Sequence, residues 1–131
     1  MPDVPTTAER PGLLLAHRIL VAALPALVLV QATLAGQHLF EGMAISVHGI
    51  LGNVTFALTV VGVVLAVVRK SDGTTFFLAV ALMALVFAQV GLGYVGRETT
   101  MAAAWHIPLG VTIFGMTCYQ LAALKGARPG R

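Results

Sequence analysis

Two histidines in this chain are spaced so that they could bind one metal centre together. The stretch 20–59 aligns without gaps on the stretch 78–117, and 15 of the 40 aligned positions are identical. Many of these matches are Ala, Leu or Val, which an apolar chain supplies by chance. The informative matches are Gln31/Gln89, Met43/Met101, His48/His106, Gly52/Gly110, Phe56/Phe114 and Thr59/Thr117. Each half therefore places a glutamine, a histidine 17 residues later and a glycine one helical turn beyond.

This spacing is suited to haem, because pairs of imidazoles are common axial ligands of haem iron. His48 and His106 each lie about one turn into an apolar segment, so they share a depth. In an up-down bundle the second and fourth helices are diagonal, and their side chains can meet in the core. Gly52 and Gly110 fall on the same faces as the histidines and leave room for a flat macrocycle. The alternative interpretation is structural: interfacial histidines bound to backbone groups, and glycines that serve close helix packing.

Several other polar residues are candidates for supporting roles. Gln31 and Gln89 could meet the edge of a cofactor, although a polar clasp between helices is the more conservative interpretation. Arg97 falls near the expected height of the histidine pair, where it could bind a haem propionate or serve as an interfacial anchor. His38 is expected to be an exposed loop histidine. His17 is expected to extend its ring towards the membrane surface.

The composition of the chain predicts the helices that must position these residues. Hydrophobic residues make up 58% of the 131 residues and charged residues 10%, with a mean hydropathy of +0.92, whereas soluble domains contain about 25% charged residues. Four apolar runs approach the ~20 residues that a bilayer core requires. They cover 13–35, 44–68, 75–95 and 102–124. We therefore predict an all-α membrane protein: an up-down bundle of four transmembrane helices, built from two tandem hairpins with pseudo-two-fold symmetry about the membrane normal.

The domain organisation is predicted to be simple. Residues 1–12 form a disordered cytoplasmic lead, 13–125 the transmembrane domain with repeats 13–70 and 71–125, and 126–131 a cytoplasmic tail. The first apolar run is retained as a helix, not cleaved as a signal peptide, because it is the repeat partner of the third. The lone Cys118 excludes an internal disulfide, and we expect it to be a small buried group.

The positions of the basic residues predict the orientation of the chain in the membrane. They flank the chain ends and the middle connection: Arg10, Arg18, Arg69, Lys70, Lys125, Arg128 and Arg131. The positive-inside rule places both termini and the middle connection in the cytoplasm. The net charge of +3 is explained by these topology signals, and we expect the lipid bilayer, not nucleic acid, as the partner.

The order of motifs resembles half of a bacterial haem A synthase. It reads Gln89-Val90-Gly91-Leu92-Gly93, then Arg97, then His106-Ile107-Pro108-Leu109-Gly110. The chain is also similar to a family of small four-span actinobacterial membrane proteins. The resemblance implies that histidines of the second and fourth helices pair around a haem near the outer side. Haem A synthases carry a glutamate three residues before the first histidine, whereas this chain has Ile45 there. The resemblance therefore implies haem ligation by His48 and His106 more directly than it implies the oxidative chemistry of that family.

Three classes of function remain open at the level of sequence. The first is an integral b-type haem protein that transfers electrons or supports a neighbouring redox complex. The second is a cofactor-free structural or accessory subunit of a larger membrane complex, respiratory or other. The third is an enzyme that acts on haem or quinones, while transport is weakened by the lack of charge in the middle of the spans. No Cys-x-x-Cys-His motif is present, which excludes covalent haem attachment. A homodimer is compatible with each class.

Overall fold

Four long α-helices account for almost all of the chain that can be described. The computed structural model describes residues 10–126. The helices are α1 (Pro11–Glu41), α2 (Ile45–Val68), α3 (Gly73–Val95) and α4 (Thr100–Gly126). All four are long enough and apolar enough to cross a membrane, which requires ~20 residues. The predicted all-α class is confirmed, and no strand occurs between residues 10 and 126.

Helix α1 differs from its predicted boundaries at both of its ends. α1 begins at Pro11, in the first-turn position that proline favours, so residues 11 and 12 are helical, not disordered. The remainder of the predicted lead, 1–9, and the tail from 127 onward lie outside the described residues. α1 also continues beyond the predicted end at 35. It stops at Gly42, whose φ of 73° is left-handed and whose N–H donates to the carbonyl of Gln37.

The connection between the two halves is held by local hydrogen bonds. Lys70 adopts a left-handed φ of 51°, and the N–H of Ser71 donates to the carbonyl of Ala66 at 2.9 Å. Asp72 then caps α3, because its Oδ1 accepts from the backbone N–H of Thr75 at 3.0 Å and its Oδ2 from the hydroxyl of Thr75 at 2.7 Å. This tight turn reverses the chain within a few residues.

The helices pack in a closed ring. α1 contacts α2 and α4, and α3 contacts the same two helices. Within the described residues the backbones of α2 and α4 do not approach each other, so these two helices occupy opposite corners. An apolar layer of Leu24, Leu82, Val86 and Ile113 fills the middle of the bundle.

The distribution of polar and apolar side chains is the reverse of that in a water-soluble protein. Many large apolar side chains point outwards, among them Phe40, Phe77, Phe87, Met101 and Val111. Cys118 is also exposed, which makes the prediction of a buried cysteine wrong, because its side chain lies on the outer face of α4. By contrast, five polar side chains are buried among the residues whose burial is described. They are His17, Thr55, Thr59, Thr117 and Gln120. An apolar exterior around a partly polar core fits contact with lipid tails.

Candidate functional site

The structure brings the two repeat-related histidines together. His48 of α2 and His106 of α4 come from opposite corners of the ring, yet their imidazole centroids are 6.0 Å apart, with 62° between the ring planes. Both residues are half-buried. The predicted meeting of these side chains across the core is therefore what the coordinates show.

The hydrogen bonds of the two rings define their tautomers. Nδ1 of His48 lies 3.0 Å from the backbone carbonyl of Gln31, and Nδ1 of His106 lies 3.0 Å from the backbone carbonyl of Gln89. A carbonyl only accepts, so each Nδ1 carries the proton and donates it. Each Nε2 is then left with a free lone pair in the neutral ring. A histidine that binds a metal typically has this arrangement, with its other nitrogen donating to a carbonyl or carboxylate.

The two glycines of the repeat make room for the two glutamines. A Cβ atom at Gly52 would lie 3.4 Å from Nε2 of Gln31, and one at Gly110 would lie 3.0 Å from Nε2 of Gln89. The clearance that the sequence predicts for a macrocycle is thus taken up by side-chain amides. Nε2 of Gln89 also donates to the backbone carbonyl of His106 at 2.9 Å. Helices α3 and α4 are therefore joined here by a reciprocal pair of hydrogen bonds.

Each of these glutamines also has an unsatisfied acceptor. Oε1 of Gln31 and Oε1 of Gln89 are buried and have no hydrogen-bond partner among residues 10–126. A buried polar atom without a partner costs about 1–3 kcal/mol. Two equivalent unsatisfied acceptors beside the histidine pair mark a place where a further polar group would be stabilising.

Arg97 lies at the same end of the bundle as the histidine pair. Its guanidinium carbon is 5.0 Å from the centroid of the Tyr94 ring, within the range of a cation–π contact. Its Nη2 is 3.1 Å from the position that a Cβ would take at Gly49, the residue next to His48. The guanidinium is exposed, so it remains free to approach an anionic group at the edge of the site.

The other two histidines differ from expectation. His38 is not in a loop: it lies within α1, partly buried, with Nδ1 2.6 Å from the carbonyl of Met43. His17 does not extend towards the surface. It is fully buried, and Nδ1 faces Nη1 of Arg69. The ring of His38 therefore lies against the connection before α2, and the ring of His17 lies against Arg69 at the end of α2.

The protein provides only two ligands at the histidine pair. Within the described residues, no group of three or more His, Cys, Asp or Glu side chains is arranged to hold a metal ion. A structural zinc site uses four protein ligands and a catalytic one uses three. The pair therefore does not suit a bare metal ion of that kind.

Comparison with known proteins adds no name to this site. No protein-family model, curated protein or solved structure matches this chain. The resemblance to haem A synthases consequently rests on the motif residues themselves.

Proposed function

We propose that this chain is a small membrane cytochrome of the b type, in which His48 and His106 ligate one haem. The observation that carries the proposal is the pair of imidazoles 6.0 Å apart at their centroids, each with its Nδ1 proton held by a backbone carbonyl and its Nε2 lone pair available. A haem could be held by two histidines alone, because the macrocycle itself supplies the remaining ligands of the iron. The count of ligands therefore favours haem over a bare ion.

The separation of the rings fits this proposal. A bond from a metal to a histidine nitrogen is about 2.0–2.1 Å long. Two such bonds to one iron, together with the two ring radii, would put the centroids about 6 Å apart, close to the observed 6.0 Å. The angle between the ring planes carries no penalty, because each ring can turn about its own bond to the metal.

The surroundings of the pair supply the remaining groups that a haem needs. Gln31 and Gln89 would turn their amides away from Gly52 and Gly110, and the glycines would then border the macrocycle. The Oε1 atoms of Gln31 and Gln89 have no partner among residues 10–126, so each amide retains an acceptor for a bound group. Arg97 would bind a propionate at the exposed rim, because a guanidinium matches a carboxylate in charge and geometry.

Ligation on both sides determines the class of reaction. A haem held by both His48 and His106 would supply one-electron transfer, because no ligand position would be left for a substrate or oxygen. We therefore propose an electron-transfer or redox-accessory protein, acting with a larger membrane complex, respiratory or other, or as a homodimer. An enzyme like haem A synthase is less well supported, because Ile45 stands where that family has glutamate.

We also propose the arrangement in the membrane. We propose two tandem hairpins in an up-down bundle, related by a pseudo-two-fold axis along the membrane normal. The support comes from three pairs of repeat-related residues that make equivalent contacts: His48 and His106, Gly52 and Gly110, and Thr59 and Thr117. The basic connection at Arg69 and Lys70 would face the cytoplasm of a bacterium. The histidine pair would then lie in the outer half of the cytoplasmic membrane.

The test is the absorption spectrum of the full chain purified after expression with ample haem. We expect a Soret band and about one haem b per chain by pyridine haemochrome, as the pair can hold only one haem. His48→Ala and His106→Ala should each remove most of the haem. His38→Ala, which changes a histidine at the same end but outside the pair, should retain it. A colourless wild-type protein, or equal haem content in all three variants, would overturn the proposal.

A second function is favoured by one specific observation. The hydrogen bond from Gln89 to the carbonyl of His106, with its return bond from His106 to Gln89, already forms a complete clasp between α3 and α4. A cofactor-free accessory subunit would need no more than this. In that case the colourless protein should co-purify with a membrane partner, and the histidine variants should lose stability and not colour.

A further inference from the structure

A groove at the end of the bundle away from the histidine pair runs along the contact between α1 and α4. It has a volume of about 360 Å³ and is lined by Arg18, Ile19, Ala22, Leu121 and Leu124. The volume falls in the range of sites for small molecules, ~300–1,000 Å³. Apart from Arg18, the lining is apolar. The haem proposal uses none of these residues, so the groove is independent of it.

The matching positions in the other half of the repeat are bulkier. At an offset of 58 residues, the three lining residues of α1 correspond to Phe76, Phe77 and Val80 of α3. Ala22 therefore leaves space where the other half has a valine, and Arg18 places a charge where the other half has a phenylalanine. Duplication of one hairpin accounts for neither feature. The space and the charge distinguish the contact between α1 and α4 from its repeat counterpart.

Arg18 is exposed and has no carboxylate beside it among residues 10–126. Three acidic residues belong to this part of the chain: Glu41, Asp72 and Glu98. Glu41 and Glu98 lie at the opposite end of the bundle. Asp72 begins α3, whose backbone does not approach that of α1. The positive charge in this otherwise apolar lining is therefore left for an anion that comes from outside the bundle.

The position of Arg18 favours a lipid headgroup as this anion. The same end of the bundle contains the basic connection at Arg69 and Lys70, and the proposed orientation places it in the cytoplasmic leaflet, whose anionic lipids attract basic side chains. An arginine near a helix end extends its guanidinium to the membrane surface, and a guanidinium binds a phosphate by two parallel hydrogen bonds. The apolar part of the lining suits an acyl chain, which a free phosphate ion lacks.

We propose that the groove binds one anionic phospholipid, with its phosphate on the guanidinium of Arg18 and part of one acyl chain along the four apolar side chains of the lining. A second copy of the chain is a poorer occupant. The carboxylate that it would offer at this end is that of Asp72, which is already bonded to Thr75.

The charge of Arg18 predicts a preference among headgroups. Phosphatidylglycerol carries one net negative charge, whereas the choline of phosphatidylcholine cancels the charge of its phosphate. When the acyl chains are identical, the apolar contacts are the same for both lipids. We therefore expect phosphatidylglycerol to bind about fivefold more tightly, the effect of one basic residue at a membrane surface.

The test is native mass spectrometry of the full chain in neutral detergent, titrated with phosphatidylglycerol or phosphatidylcholine of the same acyl chains. The wild type should retain one phosphatidylglycerol about fivefold more tightly than phosphatidylcholine. Arg18→Gln, which removes the charge but keeps a polar side chain, should make the two affinities equal. Ala22→Leu, which fills the groove, should weaken the binding of both lipids severalfold.

Two matched variants separate this site from general effects of charge and surface. Lys70→Gln removes a basic residue at the same end of the bundle but outside the lining of the groove, and it should keep the preference for phosphatidylglycerol. Ala84→Leu enlarges an exposed alanine on α3, and it should leave both affinities unchanged.

The proposal fails if the wild type binds the two lipids equally, if Lys70→Gln removes the preference as fully as Arg18→Gln, or if Ala22→Leu binds both lipids as the wild type does. Glycerol phosphate, which has the phosphate without the acyl chains, should not displace the bound lipid. Displacement would overturn the proposal in favour of a site for a free phosphate group. A wild-type dimer that binds no lipid and becomes a monomer in Ala22→Leu would overturn it in favour of a contact between two copies.

Discussion

The histidine pair and the buried end around His17 differ first in whether the repeat has duplicated them. At the histidine pair, each ligand candidate has an identical partner 58 residues away. At the other end, Thr75 and Gly62 stand at the repeat positions of His17 and Gln120. A centre that is held equally from both sides can be built from two copies of one motif. The other end combines a buried histidine with a buried glutamine, and two copies of one motif cannot supply such an unlike pair.

The same two regions show how a partner sets the chemistry of a histidine. In His48 and His106, Nδ1 donates its proton to a carbonyl, so Nε2 has a free lone pair. In His17, Nδ1 accepts from a guanidinium, so the proton of the neutral ring is on Nε2. The apolar layer around Leu24 and Leu82 lies between the regions. One bundle therefore contains imidazoles suited to ligate a metal and another suited to donate a hydrogen bond.

The largest effect should come from exchanging one ligand of the pair. If His48 and His106 hold a haem as proposed, His106→Met replaces an imidazole ligand by a thioether, and thioether ligation raises the reduction potential of haem. We expect a rise on the order of 100 mV, a small part of the ~0.8 V range that axial ligands span. Because His48 and His106 occupy matching positions of the repeat and each donates to a backbone carbonyl, His48→Met should give a similar rise. Potentiometric titration of the haem spectrum measures both, and widely different shifts would mean that the halves are not equivalent.

A second prediction concerns the backbone contact that holds α3 and α4 together beyond the pair. A Cβ at Gly96 would lie 2.8 Å from the carbonyl oxygen of Leu92 and 3.2 Å from the backbone nitrogen of Ala103. These atoms cannot move independently, so Gly96→Ala should lower the free energy of unfolding by about 1–3 kcal/mol. Gly91→Ala is the control, because a Cβ there meets nothing within 4 Å.

Unfolding in mixed micelles with increasing denaturing detergent reports both glycine changes. Gly91→Ala should be neutral or slightly stabilising, as alanine is the better helix former by about 1 kcal/mol. If both variants unfold at the same point as the wild type, the close approach of α3 and α4 at Gly96 is not a feature of the folded protein.

A smaller difference is expected between the two glutamines of the pair. Gln89 donates to the carbonyl of His106, so Gln89→Leu removes a hydrogen bond worth about 1 kcal/mol. Gln31 is in the equivalent position, but in the structure only its backbone carbonyl bonds to His48. Gln31→Leu should therefore cost less, and it removes an unsatisfied acceptor. The same unfolding assay decides, and equal losses would show that the halves share one hydrogen-bonding pattern.

Sequence reasoning located the histidine pair because a repeat is a periodic signal. Once the segments are helices, the equal spacing of Gln, His and Gly fixes the depth of each histidine and the helix face on which it lies. In the structure the rings of His48 and His106 lie next to each other. The helices themselves followed from long apolar runs, with boundaries right to within a few residues at α2 and α3. α1 was underestimated because its last turns are not apolar, and helix continuation there depends on Gly42 as the terminating residue.

The buried end was missed because its residues carry no repeat. His17 was expected at the surface, since a histidine next to Arg18 near a chain end normally is. Its burial depends on Arg69, 52 residues away, and on the packing of α1 against α4. Residues so far apart in the sequence form no local pattern from which their contact could be predicted. The polar residue Gln120 inside an apolar span was the one available signal.

The smallest effect should come from Asp72, which caps α3 at the connection between the halves. Hydrogen bonds from Thr75 hold the pKa of this carboxyl below its usual range. A lowered pKa in the folded state stabilises the fold above the unfolded value of about 3.9, and the contribution is lost as pH falls through the folded value. The side chain is exposed, so this pH-dependent contribution is small.

Asp72→Asn keeps an oxygen that can cap the helix but removes the ionisable group, whereas Asp72→Ala removes the cap and should cost about 1 kcal/mol. The wild type should lose stability relative to Asp72→Asn as the pH is lowered below about 4, and the two should run parallel from pH 5 to 7. Thermal midpoints measured across this range test the sign. A wild type that instead gained stability on acidification relative to Asp72→Asn would mean that the carboxylate is not held by Thr75, and that the connection between the halves is organised by other groups.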